Sequence, residues 1–354
     1  MENEIQLPSP NLLTSPIEKK EISVCQFAAG IFLKSSDAMN IEKEGVRKGR
    51  DIEFIHRMRV ASRRLRTALD VFSECVPVRK REDWQVRVRD LTQALGETRD
   101  TDVQILLLET IYLNLPDPIF RPGVRRLLLR LRQKRTKLQK KVLAALDSLE
   151  KKKVLDQISN KYMGFIPEGT DPDDYSTDIH KIASISISKR LDQFLSYEVY
   201  LQNPEYVNEL HLMRIAAKQL RYTLEIFAPI YPDRLEIAIK STRIAQQVLG
   251  EIHDCDLWST YLPDFLEKEK LRVQHYLGHT HSFKLLLPGI EYFQQNREEE
   301  RRRLFTNYQK TWRKWRRNEL WLTLRRTLLN SLPQSENPQA HFHMLGIKDA
   351  QKTR

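Results

Sequence analysis

The chain has 354 residues, 40% of them hydrophobic and 30% charged, with only 11 Gly. That is enough apolar material for real cores, and so little glycine argues against a loop-rich β protein. The formal net charge of +12, from 59 Lys and Arg against 47 Asp and Glu, favours an acidic partner such as nucleic acid, an anionic surface or a phosphate polymer.

Residues 1–20 carry Pro8, Pro10 and Pro16 and read as a flexible tail. The opening, MENEIQLPSP, has no basic leader pattern, and no run approaches the ~20 apolar residues of a membrane span. A soluble, cytoplasmic protein with no membrane partner is expected. Cys25, Cys75 and Cys255 are odd in number and form no CxxC pair, so reduced, mostly buried thiols are expected and no zinc site.

A helix is predicted from Glu21 to about Lys48, with Val24, Phe27, Ile31 and Phe32 apolar. Gly45 and Gly49 are read as loosening the approach to the next helix, and Asp51 as its N-cap. That helix is Phe54 to Phe72, FIHRMRVASRRLRTALDVF. At roughly 100° per residue, His56, Arg59, Arg63 and Arg66 share a stripe about 80° wide, while Met58, Ala61, Leu65, Leu69 and Phe72 take the other side. Asp70 is the one carboxylate on the basic front, at its far end. CVPVRKRED then turns the chain into a second helix, Trp84 to Leu113, containing LGETRDTDV.

NLPDPIFRPG breaks the chain again before a long helix, Arg121 to Lys153, with Val124, Leu128, Leu131, Leu138, Val142, Ala145 and Leu149 at core spacing. Arg126, Arg130, Lys134, Lys137 and Lys141 run along it as another basic stripe. Residues 163–177 form an acidic linker, after which residues 178–330 repeat the pattern of residues 21–162. Leu210 to Phe227, LHLMRIAAKQLRYTLEIF, matches the first signature helix at an offset of 155 (211 − 56), aligning His211, Arg214, Lys218 and Arg221 with His56, Arg59, Arg63 and Arg66. LGEIHDCDL follows at an offset of 154 (250 − 96), pairing Gly96 with Gly250, Asp100 with Asp254, Asp102 with Asp256 and Arg89 with Arg243. One last helix is predicted from Leu287 to about Leu329, with Leu304, Phe305, Tyr308, Trp312 and Trp315 inward and Arg303, Lys310, Lys314 and Arg317 outward. Residues 331–354 read as a second flexible tail.

The fold expected is all-α, two pseudo-symmetric four-helix bundles related by internal duplication around a basic groove. A solvated face is the plain reading of any charge stripe. Ordinary surface helices mix signs, however, because Glu–Lys pairs a turn apart stabilise them. A one-sign row kept in both repeats favours a bound polyanion.

The doubled H-x-x-R-V/I-x-x-R/K-x-L-R-x-x-L-x-x-F helix, each copy followed by L-G-x-x-R/H-D-x-D, resembles the CHAD domain (conserved histidine α-helical domain) over residues 21–330. The resemblance implies two four-helix bundles, binding of inorganic polyphosphate, and association with polyphosphate granules. It implicates His56, Arg59, Arg63, Arg66, His211, Arg214, Lys218 and Arg221. Further basic residues form a second tier of candidates: Arg89, Arg130, Lys134, Lys137, Lys141, Arg243, Lys310, Lys314 and Arg317. No E-x-E-x-K motif of a CYTH domain is present, so the chain looks like a stand-alone CHAD protein. Lys218 and Gln219 replace Arg63 and Arg64, and His253 replaces Arg99, which unsettles equal weighting of the two repeats.

The physics of the pattern agrees. Positions i, i+3, i+7 and i+10 place a donor every ~5 to 6 Å along a helix, suited to a chain with one charge per phosphate and no bases. Arg offers bidentate contacts to phosphate oxygens. Non-specific RNA or DNA binding is the rival on charge alone, but there is no helix-turn-helix, zinc-finger or RNP pattern, and only Tyr222 interrupts the fronts with an aromatic ring. A metal-dependent phosphohydrolase is suggested only by His253-Asp254-Cys255-Asp256 with His211, and the counterpart Arg99-Asp100 has no histidine. A binding protein without catalytic residues, metal or cofactor is therefore expected.

Overall fold

The computed structural model describes residues 21–165 and 174–331; the first expected tail, all of the second but Ser331, and the middle of the acidic linker lie outside the described residues. Among the described residues the elements are helices, with one isolated bridge between Ile22 and Tyr175. The first half comprises α1 (Val24–Lys48), α2 (Ile52–Val71), α3 (Val78–Leu113), α4 (Arg121–Lys151) and the short α5 (Val154–Tyr162). The second comprises α6 (Thr177–Leu195), α7 (Val207–Phe227), α8 (Glu236–Leu277), a single turn α9 (His281–Lys284), α10 (Leu287–Arg317) and the short α11 (Leu320–Leu329). The protein is all-α. No described helix is long and apolar enough to cross a membrane.

Local chemistry explains the boundaries. Ser23 and Gln26 form a capping box at the start of α1, the Gln26 side chain accepting from the Ser23 N–H at 2.9 Å. Asp51 caps α2 as its position suggests, accepting from the Glu53 N–H at 2.8 Å. Gly49 closes α1 in the left-handed conformation, at φ 62°. Gly45 does not loosen the chain. It lies inside α1, and a Cβ there would sit 2.0 Å from the Phe54 ring, so the missing side chain is the seat for that ring. The single final helix expected to Leu329 is broken in two. Glu319 takes a left-handed conformation (φ 50°) between α10 and α11, as Lys153 does (φ 51°) between α4 and α5.

A continuous core runs through both halves, containing Leu65 and Leu69 of α2 together with Leu220 and Leu224 of α7. At its centre Phe72 and Phe227, the last residues of the two signature stretches, lie with ring centroids 5.7 Å apart, and Phe27 of α1 packs on both at 5.9 and 6.1 Å. A second, smaller core joins the halves elsewhere, from Leu108 of α3, Val124 and Leu127 of α4, Trp258 and Leu262 of α8, and Phe293 of α10. There the first turns of α4 and α10 touch backbone to backbone. A Cβ on Gly123 would lie 2.3 Å from the Leu286 carbonyl oxygen, and one on Gly289 2.1 Å from that of Phe120. Gly289→Ala should therefore push the helices apart and lower stability by about 1–3 kcal/mol. Urea unfolding checks this: the midpoint should fall with the slope unchanged, and an unchanged midpoint would mean the crossing is looser than this.

The thiols differ from expectation. Cys25 and Cys75 are joined in a disulfide, their Cα atoms 5.3 Å apart, while Cys255 is free and buried. α1 and α2 run as a hairpin, so the start of one meets the end of the other. A separation of 50 residues in sequence conceals that neighbourhood.

Candidate functional site

The apolar backs of α2 and α7 hold the site in place. Met58, Leu65, Leu69, Met213, Leu220 and Leu224 are all fully buried, which turns the His/Arg fronts away from the core and fixes their rotation. α2 and α7 then pack on each other, and their fronts converge. Arg63 donates to the Tyr222 hydroxyl at 3.4 Å. Burial and the neighbouring charges of Arg63, Arg214, Arg59 and Arg66 push the Lys218 ammonium down to about 7. Burial and Arg63 likewise bring Arg59 down to about 10, with Asp100 opposing and Arg214 adding to the effect. Five cations from two helices thus share one field.

The second repeated element, LGETRDTDV on α3 and LGEIHDCDL on α8, forms the other side of the cluster. Gly96 and Gly250 lie against the guanidinium groups of Arg59 and Arg214; a Cβ on them would be 3.7 and 3.5 Å from the respective Nε. The Arg59 Nε–H is buried without a hydrogen-bond partner among the described residues. Asp100 lies 3.4 Å from an Arg59 Nη. Burial pushes the Asp254 carboxyl up to about 6, with Asp100 adding to the rise while Arg214 and Arg59 oppose it. The front is thus basic with two carboxylates behind it, one of them held above its ordinary range.

The other two acids have a different task. Asp102 accepts from Arg135 Nε at 2.6 Å, and Asp256 pairs with Arg301, tying α3 to α4 and α8 to α10. Neither arginine stood out in the sequence. Their signal is an offset of 166 (301 − 135), shared by Gly123 and Gly289 and by Lys153 and Glu319.

The histidines behave unequally. His211 Nδ1 lies 3.2 Å from His253 Nδ1; burial, helped by Arg214 and His211, takes His253 down to about 4, so it is neutral near pH 7. His56, which faces Arg99 where the second half has His253, is also lowered, by burial first and then by that arginine. Among the described residues no group of three or more His, Cys, Asp or Glu is placed to hold a metal.

The remaining candidates separate. Burial, then Arg89 of α3 and Arg63, lowers Arg66, so Arg89 extends the front. Arg221 and Arg243 share Glu225, at 3.5 and 3.8 Å, and so lie at its edge. Arg130 is not a surface donor. Together with Arg126 and Arg272 it binds the fully buried Glu269, at 2.5 Å from Arg130, so part of the α4 stripe is an internal ion-pair network linking the halves. Burial alone would raise that carboxyl, but hydrogen bonds from Arg130 and Arg272 outweigh it and hold it low. Lys141 pairs with Glu97 at 3.2 Å. Lys134, Lys137, Lys310, Lys314 and Arg317 are exposed on the outer faces of α4 and α10. Tyr222 is buried, with the Arg221 guanidinium 4.7 Å over its ring, and offers no open stacking face.

Lys218 makes the cluster testable without a ligand. Its folded-state value, about 7, is below the 10.5 of an unfolded lysine. Between those values the unfolded chain carries the extra proton, so stability rises with pH across that window and is lowest below it. The melting temperature of the ligand-free protein should climb from about pH 7 towards pH 10, and Lys218→Met should flatten the climb. An identical climb in the variant would mean that Lys218 is not the group responsible.

Architecture and site together define a class: an all-α protein of two helical halves with one shared cationic cluster. The chain belongs to the CHAD domain family, whose model matches residues 30–263. It is similar in fold to the crystal structure of the CHAD domain from the plant Ricinus communis, at 20% identity over 77% of this chain and 93% of that one, with a TM-score of 0.52. PptA from Streptomyces chartreusis is also similar, at 15% identity over 82% of this chain and 99% of that one, again with a TM-score of 0.52. No curated protein sequence matches the chain.

Proposed function

We infer that this protein binds inorganic polyphosphate at the α2/α7 cluster and does not turn it over, and that binding places it on polyphosphate granules. One observation carries the reading. Arg63 of α2 and Arg214 of α7 are packed closely enough to Arg59 and Lys218 that burial and these neighbouring charges hold both below their ordinary values. Such a cluster destabilises the ligand-free fold and is relieved by a polymer of negative charge. Membership of the CHAD family, with its link to polyphosphate, supports the same ligand.

The test is calorimetry with long-chain polyphosphate at physiological salt, competed with single-stranded DNA and with triphosphate. The expected result is tight binding that strengthens with chain length, weakens with salt through counterion release, and resists DNA. Equal or better binding of DNA would reassign the cluster to nucleic acid. Release of phosphate during the titration would overturn the non-catalytic reading.

A further inference from the structure

We propose that the outer face of α10 is a second polyphosphate-binding site, so that one polymer engages two sites and links protein molecules together; this rests on the polyphosphate reading of the α2/α7 cluster. From Arg301 to Arg317 the chain reads RRRLFTNYQKTWRKWRR, without a single Asp or Glu. Leu304, Phe305, Tyr308, Trp312 and Trp315 are its buried residues. At roughly 100° per residue, Lys310, Arg313, Lys314 and Arg317 fall on the opposite side, in a stripe about 100° wide. All four are exposed, and Lys310, Arg313, Arg316 and Arg317 line a shallow surface cleft. Among the described residues, Arg316 is the one of these with a carboxylate partner, Glu198 at 3.1 Å.

The dipole of a helix favours cations in its last turn, which accounts for Lys314, Arg316 and Arg317 but not for Lys310 and Arg313. The stripe is separate from the cluster. α10 turns Trp312 inward against Phe194 of α6 at 5.3 Å, so its basic face looks outward, while the cluster is built on α2, α3, α7 and α8. It also lies past residue 263, where the family match ends. The stripe carries no aromatic ring on which a base would stack and no apolar residue that would enter a lipid surface. What remains is recognition of bare, closely spaced negative charge on a flexible chain. Two such sites on one protein make the second contact with a polymer intramolecular, or join two proteins through it.

The experiment compares the full chain with two variants. One reverses the outer face (Lys310→Glu, Arg313→Glu, Lys314→Glu, Arg317→Glu), with a glutamine version as a control for folding. The other truncates Arg59, Arg63, Arg214 and Lys218 to alanine. Calorimetry with a short polyphosphate reads the number of sites, and light scattering with a long one reads cross-linking. The expected result is two sites in the unchanged protein and one in the outer-face variant, whose scattering falls at least about tenfold. An outer-face variant that keeps both its site count and its scattering overturns this inference and leaves the cluster reading intact. Binding lost in the outer-face variant but kept in the cluster variant overturns the cluster reading instead. Absence of binding by the unchanged protein overturns both, and an outer face that takes single-stranded DNA in preference to polyphosphate overturns the ligand proposed for it.

Discussion

Truncating Arg59, Arg63, Arg214 and Lys218 to alanine together should weaken polyphosphate binding at physiological salt by at least about a hundredfold, with the melting temperature unchanged or higher. Hydrogen bonds to charged groups contribute about 1.5–3 kcal/mol each, and charge-assisted contacts of guanidinium to phosphate are at the strong end. Even half of the low figure at each of four positions gives about 3 kcal/mol, or two decades of affinity. The logarithmic dependence on salt should also become shallower by about three, since each lost phosphate contact removes ~0.7–0.9 from the slope. Stability should not suffer, because these side chains repel one another and the carboxylate nearest Arg59 is Asp100 at 3.4 Å. Calorimetry, circular dichroism and a thermal melt decide the matter. A variant that loses helicity would show that the four residues are internal struts, and intact affinity in a folded variant would overturn the cluster as the binding site.

The opposite face of the same helices gives the opposite result. Leu65→Ala or Leu220→Ala should cost about 2–5 kcal/mol of stability, through lost burial and the cavity left behind. Both side chains are fully buried in the core shared by the halves. The folded fraction of either variant should bind polyphosphate as before, since the charged front keeps all its donors. Denaturant unfolding gives the first quantity and calorimetry below the melting temperature the second. A stability loss under about 1 kcal/mol would mean the core closes over the gap, and a matching loss of affinity would mean the rotation of α2 and α7 is not set by this packing.

Much of this was legible in the chain because helices write their orientation in a 3.6-residue period. The front and back of α2, the start of α4 at Arg121 and the N-cap at Asp51 all followed from spacing and cap chemistry. What escaped depends on partners distant in sequence. Arg130 looks like any other member of a basic row, and its carboxylate partner, Glu269, comes 139 residues later. Cys25 and Cys75 are neighbours only once α1 and α2 have folded into a hairpin. The break at Glu319 carries neither Gly nor Pro, so no local signal marks it, whereas the one at Lys153 falls where the predicted helix ends. The correspondence of Gly123 with Gly289 was hidden by a third offset, 166, most of the change from 154 arising because α8 runs to Leu277, 27 residues past Gly250 (277 − 250), whereas α3 ends at Leu113, 17 past Gly96 (113 − 96).

The phenylalanine cluster at the ends of α2 and α7 and the glycine contact between α4 and α10 join the halves at two places far apart in the chain. A frame pinned twice cannot pivot about either pin, so the spacing of its cations is a gauge set by apolar packing and not by whatever binds. Fitting is then the ligand's burden. A stiff duplex would have to arrive with its phosphates already at that gauge, whereas a chain free to rotate about every bridging oxygen can bend until its charges meet it.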